Sequence, residues 1–200
     1  MPDAITMLKA DHKTVKGLFT RFERLKDGAD EEKREIVRQI VAELSVHAVV
    51  EEQVFYPAVR KVLPDVEDVV LEGLEEHHIV KWTCSELDGM EPTEERFDAK
   101  VKVLIESVRH HIEEEEGEMF PQVRQALGRK ALQELAESME QVKATAPTKP
   151  QPKAPDVPPP SQVPTIQLPE TNSGDSGPKA PAKAAAGASG GGLLRRRKKT

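Results

Sequence analysis

The amino-acid sequence predicts an all-α protein: an up-down-up-down antiparallel four-helix bundle, a short fifth C-terminal helix, and then a disordered tail. Three observations predict it. Apolar residues recur at steps of three and four along four separate stretches, the spacing of one helix face. The breaks between the stretches are short, so consecutive helices must fold back on one another. Aromatic residues make up 4% of the chain and charged residues 32%, a balance that suits aliphatic helical cores better than sheets.

The first stripe is Ile5, Leu8, His12, Val15, Phe19 and Phe22, and it ends at DGAD, residues 27–30. The second is Ile36, Ile40, Leu44, His47, Glu51 and Val54, ending by LPDVED at 63–68. The third, Val70, Leu74, His77, Val80, Cys84 and Leu87, stops at LDGMEPTEE, residues 87–95. The fourth is Phe97, Val101, Leu104, Val108, His111 and Glu115. A weaker pattern at Leu127, Ala131, Leu135 and Met139 predicts the fifth helix.

The chain divides near residue 146. Eleven of the sixteen prolines fall in residues 147–200, a Pro/Ala/Gly-rich stretch with few large apolar residues. It buries too little surface to offset the entropy of ordering, so a disordered tail is expected. That tail holds nine Lys/Arg and three Asp/Glu, which leaves twenty and thirty-two in residues 1–146. Residues 1–146 are therefore −12 and the tail +6, within a total of −6. The basic end, Arg195 to Lys199, suits weak contact with an anionic partner, and no specific nucleic acid is predicted. No apolar run approaches the ~20 residues of a membrane span, and the N-terminus lacks the apolar core of a signal peptide. A cytoplasmic protein is expected. A lone cysteine, Cys84, excludes an intramolecular disulfide and reads as a small core residue; Trp82 reads as packing at a helix edge.

Every stripe is interrupted by histidine, and two also carry glutamate. A buried carboxylate without a partner is costly. Glu51 and Glu115 share their stripes with no lysine or arginine, so they need another source of positive charge. His47 and Glu51, like His111 and Glu115, are i, i+4 pairs, which stack imidazole and carboxylate on one helix face. The chain also repeats itself. HAVVEEQVFYP (47–57) aligns with HIEEEEGEMFP (111–121), and DHKTVKGLF (11–19) with EHHIVKWTC (76–84), at offsets of 64 and 65 residues. Each half thus supplies two histidines and a glutamate, and the alignment selects His77 over His78 and His111 over His110. Four histidines and two glutamates exceed one tetrahedral zinc site. Divided between two ions with bridging carboxylates, they suit five- or six-coordinate iron, and manganese or zinc are compatible with the same donors.

The order His12, His47-x-x-x-Glu51, His77, His111-x-x-x-Glu115, with EEQVFYP and EEGEMFP near the ends of the second and fourth helices, resembles the hemerythrin-like (HHE cation-binding) family. The resemblance covers about residues 3–145. It implies two non-haem irons, oxygen- and carboxylate-bridged, that bind or react with O2, NO or H2O2. The metal ligands it implies are His12, His47, Glu51, His77, His111 and Glu115, with no catalytic residue beyond them. The oxygen-carrying hemerythrins place a second histidine four residues before the third-helix ligand, and here that position is Gly73. His78, His110 or Tyr56 could complete the set. Tyr56 precedes Pro57, which biases it away from helical backbone and could turn its ring inward. An unfilled position favours redox chemistry over reversible oxygen carriage, so a peroxide- or NO-directed activity is possible, but not hydrolysis or group transfer. The alternative is a metal-dependent sensor or iron-binding module that signals through its tail.

Overall fold

The structure, a computed structural model, describes residues 2–153. Most of the predicted tail therefore lies outside the described residues. Helix α1 spans Ala4–Glu23, α2 Asp30–Val50, α3 Tyr56–Val62 and α4 Glu67–Asp88. Next come α5 at Phe97–Glu114, α6 at Phe120–Ala126 and α7 at Arg129–Lys143. No described segment is a strand. None of the described helices is long and apolar enough to cross a membrane.

The boundaries follow from local chemistry. Asp3 caps α1, its carboxylate accepting the Thr6 N–H at 2.8 Å. Asp30, Glu31 and Glu32 open α2, where negative charge complements the helix N-terminus. Between them Gly28 has φ +84°, a left-handed turn that residues with a Cβ seldom adopt.

The second helix runs on past Pro57 to Val62, at the LPDVED break expected from the stripe, and the fourth runs past Pro121, near which it was expected to end, to Ala126. A π turn at Glu51–Phe55 joins α2 to α3, and another at Glu115–Met119 joins α5 to α6. In each, an N–H reaches the carbonyl five residues back: Tyr56 to Glu51, and Phe120 to Glu115. Pro57 and Pro121 come directly after. A proline ring crowds the carbonyl four residues back and donates nothing. Widening the preceding turn relieves that crowding while the helix continues. The repeated proline thus marks a bulge rather than a stop. Tyr56 keeps helical backbone angles, φ −61° and ψ −43°, contrary to the pre-proline expectation.

The wider turns change which residues share a face. Residues five apart in an α-helix point roughly 140° away from each other. Across the π turns, Glu51 and Tyr56 are both buried, as are Glu115 and Phe120.

The core has two apolar ends. One cluster gathers the start of α1, both π turns, α3, α6 and α7 around Phe55, Val59, Phe120 and Leu135. The other holds Phe19, Ile40, Leu87, Phe97 and Leu104. Between the ends, each bundle helix contributes buried polar residues: His12, His47 with Glu51, His77, and His111 with Glu115. Cys84 is buried in the second cluster, and burial pushes its thiol up to about 12, which keeps it protonated and unreactive. Trp82, by contrast, is 58% exposed on α4 rather than packed at its edge.

Helix α7, the predicted C-terminal helix, closes the bundle against α1, α2 and the first π turn. It buries Leu132, Leu135 and Met139. At its C-terminal end, Lys143 Nζ lies 2.5 and 2.7 Å from the two oxygens of Asp11 on α1.

Candidate metal centre

Six residues of the polar layer converge. Ligand atoms of His12, His47, Glu51 and Glu115 lie within 4.8 Å of one another, as do those of Glu51, His77 and His111. Two imidazole pairs result, with ring centroids 4.9 Å apart for His12–His47 and 4.8 Å apart for His77–His111. The carboxylates connect the pairs. Glu51 Oε2 is 3.1 Å from His47 Nε2 and 3.4 Å from His77 Nε2. Glu115 Oε2 is 3.2 Å from His12 Nε2 and 3.5 Å from His111 Nε2. Each acid therefore reaches one imidazole of each pair.

These contacts do not satisfy the groups that make them. Both oxygens of Glu51, Glu115 Oε2, both ring nitrogens of His47 and His12 Nε2 are buried without a hydrogen-bond partner among the described residues. Buried polar atoms are nearly always paired, and so many orphans in one pocket call for an ion. Three of the four outward Nδ1 atoms show how the rings are held. His12 Nδ1 is 3.0 Å from Glu116, His77 Nδ1 is 3.0 Å from Glu52, and His111 Nδ1 is 2.6 Å from Glu76. Asp11 stands 3.9 Å from His47 Nδ1, beyond hydrogen-bond distance but close enough to favour its protonated form. A carboxylate on Nδ1 fixes the tautomer that leaves Nε2 facing the pocket and makes the ring a better donor to metal.

The duplication extends to these supports. Asp11 and Glu76 occupy matching positions, as do Glu52 and Glu116 and also Lys16 and Lys81. Lys16 Nζ is 3.1 Å from Glu116, and Lys81 Nζ is 2.9 Å from Glu52. Lys143 has no counterpart in the repeat. It comes from α7 and completes the chain of charges at Asp11, a role invisible in the motif because the helix is appended outside it.

The electrostatics follow from burial set against near contacts. Burial alone would lower the His47 pKa, but Glu51 and Asp11 outweigh it and hold the ring at about 10. Burial works the same way on His77, and there Glu51 and Glu52 raise it to about 9. Burial disfavours the charged Glu51 carboxylate, yet His47 and His77 bring it well below the ordinary range. In effect, protons on His47 and His77 supply the positive charge that Glu51 requires.

Tyr56 lies at the edge of the same pocket. Its hydroxyl donates to Glu115 Oε1 at 2.9 Å and is 3.5 Å from His111 Nε2. Burial and the neighbouring Glu115 and Glu51 charges push the phenol well above its usual range, so it keeps its proton. A Cβ on Gly73 would stand 3.2 Å from the phenol oxygen and 3.4 Å from His111 Cε1. A side chain at position 73 and the Tyr56 ring thus compete for one space, and the glycine leaves it to the tyrosine. His78 and His110 do not reach the pocket; their side chains are 37% and 62% exposed. Tyr56→Phe is expected to destabilise the fold by about 1–2 kcal/mol, because it leaves Glu115 Oε1 buried without its donor. Urea denaturation checks this, and an unchanged midpoint would mean that the hydrogen bond contributes nothing.

A family model for the hemerythrin HHE cation binding domain matches residues 3–123. The chain belongs to the hemerythrin HHE cation-binding family. It is 33% identical over 122 residues to an uncharacterized hemerythrin-like protein of Schizosaccharomyces pombe, covering 60% of each chain. It is 26% identical over 138 residues to a DNA nickase of Nostoc, covering 69% of this chain and 38% of that protein. The chain thus spans 60% and 38% of the length of these two curated relatives. Among solved structures, it resembles a hemerythrin HHE cation binding domain-containing protein from Mycobacterium kansasii, with a TM-score of 0.60 and 23% identity. That likeness covers 72% of this chain and 90% of that one. At this identity the likeness establishes the hemerythrin fold alone. Family membership and the buried His/Glu clusters together make this a metal-binding hemerythrin-like protein. The family match ends before α7, so Lys143, which contacts Asp11, lies beyond the matched region.

Proposed function

We propose that the protein holds two iron ions between His12, His47, Glu51, His77, His111 and Glu115, and binds or reacts with O2, NO or H2O2 there. The observation that carries this reading is the double span of the carboxylates, each touching one imidazole from each pair. The two imidazole pairs and the two acids would together hold the ions, whose charge would offset both carboxylates. Bound iron supplies one-electron redox chemistry and a coordination position for a small ligand. The protein's own contribution is orientation and dryness. Glu116, Glu52 and Glu76 hold the rings, Phe120 lies nearly parallel to His12 at 5.8 Å, and the apolar clusters on either side exclude bulk water. Tyr56 acts on the centre through Glu115: its protonated hydroxyl orients that carboxylate and keeps a proton at the pocket edge. As a neutral donor it is a poor ligand, which favours this supporting role over direct coordination.

Metal analysis of the aerobically purified full chain, together with its optical spectrum, tests the proposal. The expected result is about two irons per chain, the number that the two imidazole pairs suit. The expected spectrum has oxygen-to-iron charge-transfer bands and no tyrosinate-to-iron band. One zinc per chain, with no iron acquired on aerobic reconstitution, would overturn the proposal.

A further inference from the structure

The six residues of the pocket are at most 9% exposed, so a small ligand needs a way in. A cleft with members of the site's own network in its wall offers such a way. It lies between α3 and α4 and has a volume of about 400 Å³. Tyr56 and Glu52 line it, and both also touch the polar layer directly. The Tyr56 hydroxyl bonds to Glu115, and Glu52 bonds to His77 Nδ1. Leu74 lines its side, one residue beyond Gly73, whose missing side chain leaves the Tyr56 phenol its room. Arg60 and Glu67 form an ion pair at its rim, with Lys61 beside them. The clefts at the far end of the bundle are lined by residues such as Leu25 and Ile36 or Lys33 and Asp98, none of which touches the six.

We propose that the cleft between α3 and α4 is the path by which a small ligand passes from solvent to the six-residue pocket, with the Arg60–Glu67 pair at its mouth and the Tyr56 ring as its inner wall. This rests on the functional reading above for the identity of the ligand, but not for the existence of the path. Passage requires the Tyr56 ring, which fills the space over Gly73, to move aside. Arg60 and Lys61 stand against Glu67 at the mouth, and Glu52, the other carboxylate of the lining, is buried and paired with Lys81, so a small anion meets cations first.

Azide entry into the ferric full chain, followed by stopped-flow absorbance, tests the path. Leu74→Trp narrows the cleft and is expected to slow azide binding by about tenfold while leaving the final spectrum unchanged. Arg60→Ala removes an exposed side chain from the mouth and is expected to speed neutral entry, read with NO, and to reduce the preference for azide over NO. Leu25→Trp, in a cleft at the far end, is expected to leave all rates alone. A second measurement does not depend on iron. In zinc-loaded full chain, dissolved O2 should enhance relaxation of the Tyr56 ring protons, and Leu74→Trp should suppress that effect. Unchanged relaxation in Leu74→Trp, or azide rates that respond to Leu25→Trp and not to Leu74→Trp, would overturn the path. If iron-loaded protein gives no azide spectrum, the iron reading fails, and the relaxation measurement still decides whether the path exists.

Discussion

Glu51→Ala is expected to empty the centre. Metal content after gel filtration should fall from about two ions per chain to one or fewer, an affinity loss of at least about 100-fold for the ion that remains weakly held. The size of the effect stems from the position of the side chain. Glu51 Oε2 approaches both His47 and His77, so its loss removes a donor from each half of the pocket at once. It also removes negative charge that would offset two divalent ions in a buried place, where solvent cannot substitute. Glu116→Gln should be milder, about 10-fold to 100-fold, because it acts only through His12 Nδ1. Metal stoichiometry from elemental analysis, with circular dichroism to confirm the helices, checks both. If Glu51→Ala retained two ions per chain, the bridging arrangement would be wrong.

The second large effect is a reversal of pH dependence on metal loading. Without metal, His47 and His77 titrate near 10 and 9, above the ordinary 6.5, because Glu51 and the outer acids favour their charged forms. A histidine raised on folding stabilises the fold fully below the unfolded value. That contribution is lost as pH climbs through the folded one. Glu51 is lowered from 4.5, so its contribution is complete above that value and is lost as pH drops through its folded value. Metal-free protein should therefore be most stable between 4.5 and 6.5, and its melting temperature should fall from 6.5 toward 9 and 10. Metal competes with the same protons for the same nitrogens, so loading at pH 7 should release about two protons from these rings. Affinity then rises with pH, and the stability that binding adds rises with it. Thermal melts of the two forms across this range should slope in opposite directions. Calorimetry in buffers of different ionisation enthalpy counts the protons. Parallel slopes, or loading without proton release at pH 7, would remove the protonated-imidazole picture.

Much of this protein can be read from spacing alone. The four stripes predict the four bundle helices, and the histidines in mid-stripe lie midway along the rods, between two apolar ends. The duplication also selects the inward residue from each adjacent histidine pair: His77 and His111 are buried, while His78 and His110 face outward. Periodicity suffices there because an α-helix turns each residue through a fixed angle, and only one face can be buried. The same rule places Val54 in the core, as found, but gives no sign of the π turns at Glu51 and Glu115. The repeated prolines look like helix ends, but the structure keeps the helices and opens one turn. Whether a proline stops or bulges a helix depends on whether the next residues gain enough by packing, as Val59 and Val123 do in the first apolar cluster.

The sequence by itself determined the all-α bundle, its internal repeat and the six polar residues on inward faces. These are one-dimensional facts, set by the angle per residue and the cost of burying an unpaired acid. Only the tertiary structure decided that each carboxylate spans both imidazole pairs, that Tyr56 donates to Glu115 in the room left by Gly73, and that α7 carries Lys143 to Asp11. The Tyr56–Glu115 and Lys143–Asp11 contacts join residues 59 and 132 positions apart. They are set by how the helices rotate and dock against one another, and the spacing along any one helix holds no record of that.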